Sequence, residues 1–285
     1  MKHGKEAVGV VGAGLMGAEI AMVYALADHD VLLADTTEAN LAAAIERLGV
    51  LFDKGIGRGF YKEAEKPAAL ARIATTTDLA GFADRDVVTE AVFEDEAVKA
   101  ETWRKLDAIC AADCLFATNT SSIAISTLAS YVGAERRKRF LGTHYFSPVS
   151  RMKLVEIMPA FATAPEAVEA AMRLCRGAGK TPIKVKDVVG FAVNRVLHAF
   201  IIEAVKLVEE GVASPEDIDT ACKLGLGHPI GPFELMDATA LSLSLQVQEI
   251  LFNAYGERFR PPALLKQKVK AGHLGKKAGK GWRVG

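Results

Sequence analysis

The sequence is poor in cysteine: Cys110, Cys114, Cys175 and Cys222 are the four in 285 residues, with no Cys-x-x-Cys pair and no histidines at zinc-site spacing. A disulfide scaffold and a zinc-ribbon site are excluded, and reduced, mostly buried thiols with no metal are expected. Excess charge of either sign is also missing, since 35 Lys and Arg balance 35 Asp and Glu. Bulk electrostatics therefore point to no nucleic acid and no membrane surface as partner. The most apolar helix, Leu15 to Ala27, is too short to span a bilayer and carries Glu19. Met1-Lys2-His3-Gly4 leads into a short apolar run without the h-region and cleavage site of a signal peptide, so a cytoplasmic protein is expected. Internal repeats and low-complexity linkers are lacking too.

What is present is ordinary for a globular protein, with half the residues hydrophobic and a quarter charged. The length favours one large domain and a smaller one. Ala7 to Val11 reads as a buried strand, and Gly12-Ala13-Gly14-Leu15-Met16-Gly17 follows it and opens an apolar helix. A lone G-x-G-x-x-G says little, but this context gives each glycine a task. The first permits a tight turn, the second lets the backbone approach a pyrophosphate, and the third lets helix and strand pack closely. The phosphates would rest on the helix N-terminus. A second strand, Asp30 to Ala34, ends at Asp35, about 20 residues past the glycines, where an acid hydrogen-bonds the ribose hydroxyls of NAD and repels a 2′-phosphate. NAD is therefore favoured over NADP.

Helical periodicity runs from Glu38 to Lys54, with Leu41, Ile45, Leu48 and Leu51 on one face. Lys54-Gly55-Ile56-Gly57-Arg58-Gly59 then reads as a basic cluster amid flexible backbone, able to hold an anionic ligand arm, although such clusters are more often solvated helix ends. Pro67 to Ile73 reads as a short helix, Asp86 to Val92 as a strand, and Asp95 to Cys110 as a helix turning Val98, Trp103, Leu106 and Ile109 inward. Leu115 to Thr118 is a strand ending in Asn119-Thr120-Ser121-Ser122, a polar quartet beyond a strand's carboxyl end, where open α/β sheets bind ligands. Arg139 to His144, Leu154 to Met158 and Thr181 to Val185 read as further strands, with a helix from Pro165 to Ala178. Gly179-Lys180-Thr181 imitates a P-loop but has Leu174 where the early glycine belongs. Beyond Asp187 the pattern is helical: Phe191 to Glu210, Ser214 to Lys223, Leu241 to Tyr255 and Ala263 to Lys270, the second opened by a serine cap and a proline at the first helical position. The fold class is thus α/β, a Rossmann-type doubly wound, mostly parallel sheet over residues 1–187, with a smaller all-helical domain over 188–285.

His144-Tyr145-Phe146-Ser147-Pro148 places a histidine twelve residues ahead of Glu156, which sits alone in an apolar stretch. Imidazole titrates near neutral pH and can take a proton from an alcohol and return it; a buried carboxylate partner would fix its tautomer and stabilise its protonated form. Beside the glycine turn, this suggests an alcohol–ketone oxidoreductase. Single histidines are more often packing residues, and the spacing alone decides nothing.

With these motifs the chain resembles the 3-hydroxyacyl-CoA dehydrogenases over nearly its whole length. The resemblance rests on the glycine fingerprint, Asn119 to Ser122, the His144 motif, Met152 to Glu156, Gly190 to Arg195, Gly231 to Leu235 and Gly279-Lys280-Gly281. It implies a free-standing NAD-dependent enzyme that oxidises a 3-hydroxyacyl-CoA, with a helical domain forming most of a homodimer interface. By position, His144 resembles the family's general base and Glu156 its carboxylate partner, while Ser121 and Asn194 match the groups holding the reacting oxygen and thioester. Gly12 to Gly17, Asp35, Glu94, Lys99, Ser121, Ser147 and Lys277 match NAD contacts, and Ser121, Lys54 and Arg58 belong to the acyl-CoA side. Ser147 stands where many free-standing members have asparagine, Ala240-Leu241-Ser242 replaces Gly-Leu-Asp, and Gly281-Trp282-Arg283 replaces Gly-Phe-Tyr. Two rivals stay open: a non-catalytic NAD-binding protein like the lens crystallins that resemble this family, and a dehydrogenase of a hydroxy acid without CoA.

Overall fold

The computed structural model describes residues 5–283, so residues 1–4, read above for targeting, lie outside them. The chain divides into two compact units, Met1–Asp187 and Val188–Gly285.

The first unit alternates strands and helices: β1 (Ala7–Val11), α1 (Leu15–Leu26), β2 (Asp30–Ala34), α2 (Glu38–Ile56), α3 (Glu65–Leu70), β3 (Ile73–Thr76), β4 (Val87–Glu90), α4 (Glu96–Ile109) and β5 (Leu115–Thr118). Short helices α5 (Ile125–Ala129) and α6 (Ala134–Arg137) lead to β6 (Phe140–Tyr145), β7 (Leu154–Pro159), α7 (Pro165–Gly177) and β8 (Thr181–Lys184). The sheet order is β3-β2-β1-β4-β5-β6-β7-β8. Neighbours are parallel except β6 and β7, which run antiparallel. The central strands β4 and β5 are buried at every residue, their polar ends Glu90 and Thr118 included, because both faces of such a sheet are covered. Helix α1 is apolar on nearly all sides because Ile20 to Ala25 are all buried against this sheet. At β1 the chain turns from building toward β3 to building toward β8, and the crevice between the carboxyl ends of β1 and β4 is the topological switch point.

Three local expectations are corrected. The helix expected over Pro67 to Ile73 ends at Leu70, and Ile73 opens β3. Only Ile73 of that edge strand is buried, so it leaves almost no apolar pattern. Helix α2 continues through Lys54-Gly55-Ile56, so half of the supposed flexible basic loop is helix. Gly55 is tolerated there because the Tyr61 ring fills its side-chain space, 2.3 Å from where a Cβ would stand. Val98, expected to face inward, is exposed.

The second unit contains α8 (Val193–Glu209), α9 (Pro215–Gly225), α10 (Pro232–Thr239), α11 (Leu241–Tyr255) and α12 (Ala263–Lys270). Ser214 caps α9 as its sequence indicates, its Oγ accepting the Asp217 N–H at 3.1 Å, while α10 is a helix that the sequence reading did not include. Trp282 is buried and meets the Phe233 ring edge-on at 4.9 Å, so this departure from the family pattern lies in the unit's core. Ala240, between α10 and α11, has φ +122°, a conformation that L-residues with a Cβ rarely adopt. Ala240→Gly should therefore stabilise the protein by about 1 kcal/mol, because the strain relieved exceeds the chain entropy that glycine adds to the unfolded state. Calorimetry reads this as a higher melting temperature for the helical unit; an unchanged or lower one counts against the strain.

Among the described residues all four cysteines are free and buried, no cluster of three or more His, Cys, Asp or Glu is arranged to hold a metal ion, and no helix is long and apolar enough to cross a membrane.

Candidate active site

The turn after β1 shows what each glycine does. Gly12 has φ +100°, and a Cβ there would stand 2.6 Å from the Ala91 carbonyl oxygen. A Cβ on Gly17 would stand 1.8 Å from the Gly12 oxygen, so no other residue lets α1 begin this close to the turn. Gly14 has nothing within 4 Å of its would-be Cβ, and no side chain caps the helix it precedes. Its first N–H groups thus open on free space at a dipole's positive end, a geometry that suits a pyrophosphate. The turn borders a cavity of about 930 Å³ whose lining includes Gly12 to Met16 and Asp35.

Asp35 closes this cavity on the β2 side. Its Oδ2 accepts the Ala13 N–H at 2.7 Å, and its Oδ1 accepts the Thr36 N–H and the Asn40 amide, both at 2.7 Å. Partial burial works to raise the Asp35 carboxyl, but these hydrogen bonds, Asn40's foremost, outweigh it and hold the group below the usual carboxylate range. The residues present fit a dinucleotide: a bare turn for its phosphates and an ionised acceptor for its ribose.

The antiparallel register of β6 and β7 sets His144 opposite Glu156, so the two side chains share one face of the sheet. His144 Nδ1 lies 2.9 Å from Glu156 Oε2, with the glutamate fully buried and the histidine nearly so. An ionised carboxylate only accepts, so Nδ1 carries the hydrogen and Nε2 presents its lone pair. Nε2 lies 3.0 Å from Ser121 Oγ. The hairpin thereby converts a spacing of twelve residues into direct contact.

Ser121 is held from below. Glu94 Oε1 accepts the Ser121 and Ser122 N–H groups at 2.8 Å each and the Thr120 hydroxyl at 2.5 Å. Burial pushes the Glu94 carboxyl up; the Lys99 ammonium, 3.3 Å away, and the loop's donors more than offset this and leave it below the usual range. Lys99 is itself buried, and its ammonium donates to Glu90 Oε1 at 2.6 Å. Neither Glu94 nor Lys99 is among the residues that line the cavity beside the glycine turn; Lys99 pairs with Glu90 and Glu94.

Of the remaining residues singled out from sequence, Ser147 is exposed in the turn after β6, at a cis Ser147–Pro148 bond. Lys54 and Arg58 are exposed at the end of α2 and in the turn after it. Asn194 lies in the first turn of α8 and Lys277 in a short turn, Lys276–Ala278, both in the helical unit. Sequence reasoning missed Glu90, which ends β4 and accepts from Lys99, the Val92 N–H and the Thr118 hydroxyl. An acid at the end of a central strand was the available signal. It also missed Arg47, which lines the cavity from α2.

A glycine turn built this way at the switch point of a doubly wound sheet makes the first unit a dinucleotide-binding domain, and the protein by class a nicotinamide-dependent oxidoreductase. The pattern of the 3-hydroxyacyl-CoA dehydrogenase NAD binding domain matches residues 7–188, and that of the 3-hydroxyacyl-CoA dehydrogenase C-terminal domain matches residues 190–284. The chain is 40% identical to a probable 3-hydroxybutyryl-CoA dehydrogenase of Deinococcus radiodurans, covering 96% of this chain and 98% of that one. It is 39% identical to the human mitochondrial hydroxyacyl-coenzyme A dehydrogenase, covering 96% and 90%. The solved structure of (S)-3-hydroxybutyryl-CoA dehydrogenase from Ralstonia eutropha superposes with a TM-score of 0.93 at 38% identity, covering 98% and 99%. The chain belongs to the 3-hydroxyacyl-CoA dehydrogenase family, and its cofactor is NAD.

Proposed function

We propose that the protein interconverts 3-hydroxyacyl-CoA and 3-ketoacyl-CoA thioesters, with His144 as general acid and base. The pairing of His144 Nδ1 with buried Glu156 at 2.9 Å carries this reading, because it leaves Nε2 free of its hydrogen at the carboxyl end of a strand. NAD, when bound, takes the hydride in oxidation and gives it in reduction. Nε2 accepts the hydroxyl proton in oxidation and returns it in reduction, and the Glu156 charge stabilises the imidazolium between those events. Ser121 Oγ, already 3.0 Å from Nε2, is placed to hold the reacting oxygen. Glu94 fixes that hydroxyl through the backbone of its loop and serves as a positioning residue. By their match to the family, Asn194 holds the thioester, Lys54 and Arg58 the phosphates of CoA, and Ser147 and Lys277 the cofactor.

Relatives named for 3-hydroxybutyryl-CoA favour a four-carbon acyl group. Initial rates with NADH and 3-ketoacyl-CoA substrates from four carbons upward test this. Turnover should be confined to the thioesters and fastest at four carbons; equal turnover of the free keto acids would sink the assignment. The helical unit is read as the dimer-forming part, since it leaves Val196, Val212, Leu224 and Leu226 exposed. Sedimentation at micromolar concentration should give twice the chain mass, and a monomer mass removes that reading.

A further inference from the structure

Asp35 and Arg47 grip one residue of the glycine turn from its two sides. Asp35 Oδ2 accepts the Ala13 N–H, and Arg47 Nη2 donates to the Ala13 carbonyl oxygen at 2.8 Å. Asn40, Ala43 and Arg47 line the cavity together, at the spacing of one helix face. Arg47 stands two turns beyond Asn40, and its length brings the guanidinium back to the level of the turn.

Two cations line this cavity in different states. Lys105 is paired with Glu101 at 2.6 Å. Arg47, among the described residues, forms no ion pair with a carboxylate; it donates to the neutral Ala13 carbonyl. A guanidinium has five N–H donors in a planar fork, so most of its capacity remains for a ligand. The ligand chemistry that suits it is a phosphate ester beside the adenine ribose, which an arginine accommodates where an acid rejects.

We propose that Arg47 is a latent 2′-phosphate ligand, so that the preference for NADH over NADPH rests on the Asp35 carboxylate overriding a cation already in place. This builds on the assignment of NAD to the cavity. It differs from the simpler view, in which Asp35 alone decides and its removal leaves a site indifferent to the 2′ position. Asp35 accepts from three residues, Ala13, Thr36 and Asn40, and is held ionised by them. Asp35 and Arg47 meet the same residue of the turn and line the same cavity, so a 2′-phosphate beside Asp35 would face the repelling carboxylate as well as the guanidinium.

The test is a cycle of wild type, Asp35→Asn, Asp35→Ser, Arg47→Gln and the two double variants, with kcat/KM for NADH and NADPH and equilibrium binding of adenosine 2′,5′-bisphosphate. Asp35→Asn keeps an acceptor for the Ala13 N–H and so serves if the serine variant folds poorly. Either Asp35 variant should gain NADPH use by about tenfold to a hundredfold, the ordinary worth of charge-assisted hydrogen bonds, and Arg47→Gln in the same background should abolish most of that gain. The bisphosphate should bind the Asp35 variants more tightly than the double variants, by a margin that shrinks as salt is added. A gain of the same size with and without Arg47, or no gain, overturns the inference while wild-type NADH use leaves the cofactor assignment standing. Wild-type protein that uses neither cofactor overturns both.

Discussion

His144→Gln keeps its fold and its affinity for NADH but turns over about 10²- to 10⁴-fold more slowly, the usual worth of a positioned acid–base group. Glutamine approximates the imidazole's reach and can still donate to Glu156, but it cannot take up a proton and give it back. The loss should therefore fall on kcat, while NADH binding by fluorescence titration stays at the wild-type value. Glu156→Gln preserves shape and removes the charge that favours imidazolium. The maximal rate should fall, because the imidazolium formed during turnover loses its counter-charge. A histidine kept only for packing produces neither change.

Lys99→Met should destabilise the protein by about 3–5 kcal/mol, because it leaves the Glu90 carboxylate buried without its counter-charge. Glu90 is fully buried and Lys99 nearly so, with 2.6 Å between Nζ and Oε1. Removing one partner of such a pair costs far more than removing both, so Lys99→Met combined with Glu90→Gln should recover much of the stability. Function should suffer as well, since Lys99 also steadies Glu94, on which the Ser121 loop hangs. Denaturant unfolding of the single and double variants gives the measurement; a loss below about 1 kcal/mol in Lys99→Met, the range of an exposed pair, would mean that the pair does not hold the loop's base.

The glycine turn and Asp35 were legible because their meaning is local: a strand, a turn needing φ +100° at Gly12, and an acid at the next strand's end. His144 and Glu156 were legible as residues, and as a pair only through the family resemblance. Only the antiparallel register of β6 and β7, in a sheet otherwise largely parallel, puts them face to face. Arg47 was not legible at all. It lies among Glu46 and small residues on what reads as the solvated side of α2, and tertiary packing alone carries its guanidinium to Ala13. The Lys99–Glu90 contact was hidden for the same reason, spanning a turn and a helix start with no periodic signal. Strand β3 escaped because edge strands bury little, and its four residues offer one buried side chain.

The most direct measurement of the central claim is a double-mutant cycle in kcat for His144→Gln and Glu156→Gln, using NADH and a four-carbon 3-ketoacyl-CoA. Residues acting as one proton-transfer unit cannot each be lost twice, so the double variant should turn over within about tenfold of His144→Gln alone. Losses that multiply independently, or near wild-type turnover in His144→Gln, would contradict it.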